Sequence, residues 1–160
     1  MRRRLVVVTP SLSEAVRFAG GLVFDRVMDG WDVTVLRADH ADSRPVRILG
    51  ARVAYLEPVL ASPVRGSPQA IAVHADLYDS DERVRRMVLD AHDQRSAEVS
   101  LWGDPRSADA DEAGSVRHRL SVAAQAFKAQ ALVAAAVPAD AEGATELFRH
   151  WRPHRRADPG

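Results

Sequence analysis

Two compact apolar runs, Leu5-Val6-Val7-Val8 and Val33-Thr34-Val35-Leu36, flank an amphipathic segment that reaches Asp29. Aliphatic residues in sequence without polar alternation suit a strand covered on both faces, the habit of parallel sheets. A strand, a helix and a second such strand make one βαβ unit, and this directs the chain toward a Rossmann-like α/β layer. Sheets of that kind bind ligands beyond the carboxyl ends of their strands, so the pattern also says where a site would lie.

Three more strand candidates follow: Arg52 to Leu56, Gln69 to Val73 and Glu98 to Trp102. Glu57-Pro58 closes the first of these, Val59 to Ser62 has room for one short helix, and Pro63, Gly66 and Pro68 force a loop. Asp79 to Gln94 reads as a helix with Val84, Met87, Val88 and Ala91 on one face. Right-handed crossovers leave few topologies, and the expectation is a three-layer, doubly wound sheet of about five parallel strands in the order 3-2-1-4-5, with helices on both faces. The switch point then lies between strands one and four, where Thr9 to Ser13 would face His74 to Asp76.

Beyond the fifth strand, Gly103 to Gly114 is rich in Asp, Pro, Ser and Ala and is expected to be a surface loop. Ser115 to Val137 carries Val116, Leu120, Ala123, Phe127, Ala131 and Ala134 at helical spacing and reads as the longest helix, with Lys128 turned outward. Ala141 to Trp151 is expected to form a short last helix. Residues 1–151 are read as a single domain and residues 152–160 as a flexible basic tail.

The first helix starts at Ser11, which with Glu14 has the S-x-x-E spacing of a capping box. Ala15, Ala19, Leu22, Val23 and Val27 form its apolar stripe, widened by Phe18, Phe24 and Met28. A helix this apolar is either deeply covered or a homo-oligomer contact through residues 11–29. Gly20-Gly21 falls mid-helix at a cost of roughly 1 kcal/mol per glycine relative to alanine. Close packing is the expected reason, and a ligand's approach the alternative.

The 160 residues carry 22 basic and 22 acidic side chains. No global field therefore holds the chain on nucleic acid or a membrane surface. No apolar run approaches the roughly 18 residues of a membrane span, and the four apolar residues after Arg2-Arg3-Arg4 are too few for a signal sequence, so a cytoplasmic location is expected. Absence of cysteine removes disulfides, thiolate metal sites and cysteine nucleophiles. Lys128 is the one lysine, and the arginine, alanine and valine bias reads as that of a GC-rich bacterial genome of the actinobacterial kind.

The strand-one turn has neither G-x-G-x-x-G nor G-x-x-x-x-G-K-[ST]. It offers three hydroxyls, Thr9, Ser11 and Ser13, at a helix N-terminus, a weak anion-binding arrangement; Ser11 is also a plain helix cap. His74 and Asp76 end the fourth strand, an imidazole that exchanges a proton near neutral pH and a carboxylate to orient it. In the plainer reading His74 is a hydrogen-bonded core residue and Asp76 opens the next helix. Asp39 and His40 follow the second strand, where nucleotide-binding sheets place an acidic ribose contact, and Asp104 follows the fifth. With Asp42 and Asp76 they would line a metal or sugar site if their side chains converged, which a sequence does not show, so no metal is assigned and the cofactor is left unknown. A second alternative is a nucleic-acid-associated protein, in which Arg149 to Arg156 and Arg2 to Arg4 would touch phosphates and Trp151 stack on a base, although no recognised motif supports it.

The order Val6-Val7-Val8-Thr9-Pro10-Ser11, Gly20-Gly21 and Gly30-Trp31-Asp32-Val33-Thr34-Val35-Leu36 resembles the opening of GT-B glycosyltransferases. The resemblance spans residues 6 to 36 and implies a related N-terminal layer; the second Rossmann domain that holds the donor sugar nucleotide in that family has no counterpart here.

With no complete catalytic signature, the leading expectation is a non-catalytic binding or regulatory module that uses the strand rim for a small polar ligand or a protein partner. The alternative is a small enzyme on a nucleotide or sugar-like substrate, with His74 as acid or base, Asp76 as its orienter and Thr9 and Ser11 as anion contacts.

Overall fold

A computed structural model of the chain describes residues 2–62, 68–95, 97–103, 110–138 and 143–153. The five expected strands are β1 (Arg4–Thr9), β2 (Asp32–Arg37), β3 (Arg52–Tyr55), β4 (Ala70–His74) and β5 (Glu98–Trp102). They are parallel and adjacent in the order β3-β2-β1-β4-β5. Helices α1 (Leu12–Met28) and α2 (Arg44–Ile48) connect the strands on one face, and α3 (Leu56–Ala61), α4 (Ala75–Ser80) and α5 (Glu82–Arg95) on the other. Helix α2 lies largely beyond the expected loop at 37–45. The single helix expected over 79–94 is instead two, broken at Asp81, whose extended backbone and side chain receive the first turn of α5.

The sheet does not end at β5. Strand β7 (Thr145–Trp151) pairs antiparallel with β5, and β6 (Ala110–Arg119) pairs antiparallel with β7 at the edge. These strands replace the start of the expected long helix and the expected last helix; α6 (Val122–Ala134), capped by Ser121, is what remains between them. The physical reason is legible in the burial. Ser115, Val116, Arg117 and Arg119 of the edge strand are exposed, so β6 shows no apolar run. In β7 the inward positions include Glu146, which is 3% exposed, and a charged residue on the core face hides the period of two.

Glu146 explains two further features. Its carboxylate accepts the backbone N–H groups of Gly21 and Leu22, in the middle of α1, each at 2.7 Å, and the Lys128 ammonium at 2.7 Å. Lys128 is therefore buried, not outward as the helical spacing suggested. Burial pushes the Glu146 carboxyl above its usual range, against the pull of Lys128 and the two N–H groups. The glycines serve close packing: a Cβ on Gly21 would fall 2.2 Å from Leu120, and one on Gly20 3.3 Å from Leu49. Helix α1 is apolar because it lies between the sheet and α6, where Val16, Ala19, Val23 and Phe24 join Ala124, Ala131 and Leu132 in one core. Val8, Leu36, Ile71, Val73, Val84 and Val88 form the core of the opposite face.

Candidate active site

Each parallel strand ends on a residue that projects toward the α1 face. Register places Thr9 opposite Arg37, Arg37 opposite Tyr55 and His74 opposite Trp102, while Val8 opposite Val73 brings Thr9 and His74 to the same level. Side chains alternate along a strand. With Val7, Val35, Ala72 and Trp102 in the α1-side core, the row Tyr55, Arg37, Thr9, His74 and Trp102 shares that side. The result is one polar ledge across five strands, over which α1 begins.

His74 is the centre of this ledge. It is 5% exposed, and both ring nitrogens are engaged: Nδ1 accepts the backbone N–H of Asp76 at 3.0 Å, and Nε2 lies 2.9 Å from Oε2 of Glu14. A nitrogen that accepts carries no proton, so these partners put the proton on Nε2, where it is donated to the Glu14 carboxylate. The backbone of Asp76, not its carboxylate, orients the ring; that carboxylate is 4.0 Å from Nδ1 and largely exposed. Glu14 is 43% exposed at its side chain and forms the open end of the pair. Its capping role is therefore only half of the expected box: Ser11 Oγ accepts the Glu14 N–H at 3.3 Å, but the Ser11 N–H goes to Thr9 Oγ1 and the Glu14 carboxylate goes to His74. Glu14 was visible in the sequence only as a capping residue. The signal that it does more is its place in the first turn of the helix that follows strand β1.

The other side chains of the rim are mutually satisfied. Thr9 is fully buried and donates to the Ser11 carbonyl at 2.6 Å. Ser11 and Ser13 hydroxyls lie 3.4 Å apart. Asp39 accepts Arg37 Nε at 3.1 Å and the Leu12 N–H at 3.4 Å, so the N-terminus of α1 already meets the chain's own acceptors. Arg37 also donates to the Ala41 carbonyl and lies against the Tyr55 ring. His40 is exposed, packs on Tyr55 and stands apart from the pair. Asp104 lies outside the described residues. Trp151 is 2% exposed and donates its indole N–H to Tyr78 at 2.8 Å, so it is not placed to stack on a base.

Aromatic residues close the far end of the ledge. Trp102 meets the His74 ring edge-on, with centroids 4.5 Å apart, and Phe18 tilts against Trp102 at 5.9 Å. Gly103 follows with φ +89°, and a Cβ there would sit 3.4 Å from the imidazole; a side chain would be strained and would press on His74. Among the described residues no group of three or more His, Asp or Glu side chains could hold a metal ion, so the ledge as described does not fit a resident metal. A cavity of about 460 Å³ lies elsewhere, between α3 and α5 on the opposite face, lined by Val6, Leu36, Ile71 and Met87 among others.

No family model matches the sequence, and no curated protein matches it. Solved structures do share its fold. The A40926 pseudoaglycone deacetylase Dbv21 superposes with a TM-score of 0.66 at 15% identity, over 94% of this chain and 97% of its own. A triple mutant of the deacetylase of teicoplanin biosynthesis, Orf2*T, gives 0.67 at 14% identity, over 99% and 100%. The N,N'-diacetylchitobiose deacetylase of Pyrococcus horikoshii gives 0.56 at 11%, over 87% and 72%. The likeness shows the α/β fold. It also corrects the leading expectation of a non-catalytic module, since several of the structures that match from end to end are described as enzymes, deacetylases among them. Among the described residues no helix is long and apolar enough to cross a membrane.

Proposed function

We propose that the ledge is the active site of a hydrolase that removes an acetyl-sized acyl group from the nitrogen of a sugar-like substrate. The observation that carries the proposal is the Glu14–His74 pair, 2.9 Å apart at the trailing ends of the parallel strands, with the histidine enclosed and the carboxylate half open. The likeness to proteins described as deacetylases, over 97% and 100% of two of them and 72% of the N,N'-diacetylchitobiose deacetylase, supports the substrate class.

The chemistry follows from which end of the pair is open. Glu14 takes a proton from a water molecule as its oxygen bonds to the acyl carbon. The C–N bond then breaks, and Glu14 returns the proton to the leaving nitrogen, so that amide and water become carboxylic acid and amine. His74 acts through Nε2, holding the carboxylate in place and sharing its proton; its ring is fixed in turn by the Asp76 backbone and the Trp102 edge. A base held in one orientation needs little rearrangement during reaction.

Acetate release from N,N'-diacetylchitobiose and from N-acetylglucosamine tests this directly. The wild-type protein is expected to release acetate and Glu14→Gln to lose that activity while keeping its fold. A wild-type protein inert on every N-acetylated sugar would sink the proposal, and a fully active Glu14→Gln would remove Glu14 from it. The expected setting, one domain over residues 1–151 in a bacterial cytoplasm with a small polar ligand and not nucleic acid as partner, belongs to the same proposal, which narrows that ligand to a sugar. Cell fractionation checks the location.

A further inference from the structure

The indole N–H of Trp102 has no acceptor among the described residues. Among the described residues it is the buried side-chain polar atom without a hydrogen-bond partner, in a residue 1% exposed. The contrast with Trp151 is direct: that indole, equally buried, donates to Tyr78 Oη at 2.8 Å. Buried donors in native proteins are almost always satisfied, because a donor removed from water without a new acceptor destabilises the fold. An exception therefore calls for a physical reason, and its position supplies one.

Trp102 ends β5 on the ledge, next to His74 in the register, and its ring packs on the imidazole whose Nε2 meets Glu14. Gly103 keeps the adjoining backbone free of a side chain. Of the two rings against Trp102, Phe18 is the open one: it is 37% exposed and carries Arg17 over its face at 5.2 Å. The orphaned donor thus lies at the aromatic end of the row whose polar end is the acid–base pair.

We propose that the Trp102 N–H is the hydrogen-bond donor for an oxygen of the substrate, supplied when Phe18 gives way beside it. The ligand class is a neutral group with an acceptor oxygen and a small apolar part, which the indole, Phe18 and the imidazole edge would enclose; an acetamido group has both. Only that last identification rests on the deacetylase reading. The donor itself rests on burial and register.

Indole signals in 1H–15N spectra test the assignment, since the chain has three tryptophans, Trp31, Trp102 and Trp151. Titrating acetamide and N-acetylglucosamine into the Glu14→Gln protein is expected to move the Trp102 indole proton downfield and to leave that of Trp151 in place. Trp102→Phe, which deletes the N–H, is expected to melt no lower than the parent without probe and to bind N-acetylglucosamine at least tenfold more weakly. A purely structural tryptophan would show the reverse, a lower melting temperature with unchanged affinity. The proposal falls if the probes bind without moving the Trp102 signal, if Trp102→Phe binds equally well, or if no probe moves any indole signal. Failure of the deacetylase reading looks different: the Trp102 signal moves, but wild-type protein releases no acetate.

Discussion

Helix α1 touches two ionisable pairs, and they differ in how completely they are satisfied. At its middle, Glu146 receives Lys128 and two backbone N–H groups, with side-chain exposures of 2% and 5% for the partners. At its first turn, Glu14 meets His74 with one carboxylate edge in the open and an orphaned indole donor beyond the ring. The first arrangement ties β7 and α6 to α1 and has little left to offer a ligand. The second leaves a carboxylate edge open and an indole donor without an acceptor, the two groups on which the proposals rest. Depth of burial alone does not separate structural from chemical roles here; the remaining unsatisfied valences do.

Breaking the enclosed pair is expected to have the largest effect. Lys128→Met leaves the Glu146 charge buried without its cation, and losses of this kind run to about 3–5 kcal/mol. Urea denaturation would show it as a lowered midpoint, with acetate release per folded molecule unchanged. A midpoint within error of wild type would mean that the clasp contributes no net stability.

The open pair is expected to respond in the opposite sense. Glu14→Gln keeps the size and one hydrogen-bond acceptor but removes the base, and a positioned base contributes about 10²-fold or more to rate. The expected outcome is that loss in acetate release with a melting temperature close to wild type. A large drop in stability with retained turnover would reverse the comparison and make Glu14 the structural member.

Gly21→Ala sharpens the same contrast at the point where the clasp meets the helix. The added methyl would have to displace the Leu120 side chain, 2.2 Å away, and overpacking of this kind costs about 1–3 kcal/mol. A thermal melt checks it, and a stabilised variant would show that Leu120 moves freely.

The smallest expected effect is acid sensitivity at a third cluster on α1. Asp25 is opposed by its own burial, but hydrogen bonds from Ser121 and His118 hold its carboxyl below the ordinary 3.8. A carboxyl depressed in the fold contributes stability that is present above 3.8 and is lost as pH falls through its lower folded value. Asp25→Asn is therefore expected to be less stable than wild type at neutral pH, with the difference shrinking in acid. A difference constant down to pH 2 would assign the loss to the hydrogen bonds alone.

How much of this was legible depended on what each strand does with its buried face. β1, β2 and β4 are aliphatic because both faces are covered, so their period and order could be read directly. β6 has an exposed edge and β7 buries a carboxylate, and neither produces an apolar signature; both were read as helix or loop. At the ledge, His74 and Ser11 are legible from their positions after strands, but the spacing of Glu14 shows only a cap and that of Asp76 an orienting carboxylate, which the structure replaces with a backbone N–H; away from the ledge, helical spacing turns Lys128 to solvent, where the structure buries it against Glu146.

The chain's local chemistry, runs of valine and leucine punctuated by Ser11, Gly30 and Pro58, was enough to determine a parallel βαβ sheet and where its strands end. Tertiary structure decided which charges are enclosed and which stay open, because a carboxylate's partners come from residues distant in the chain: Glu146 meets Gly21, and His74 meets Glu14. Spacing along a sequence records neighbours on one helix or strand. Pairing across elements is set only when the layers pack.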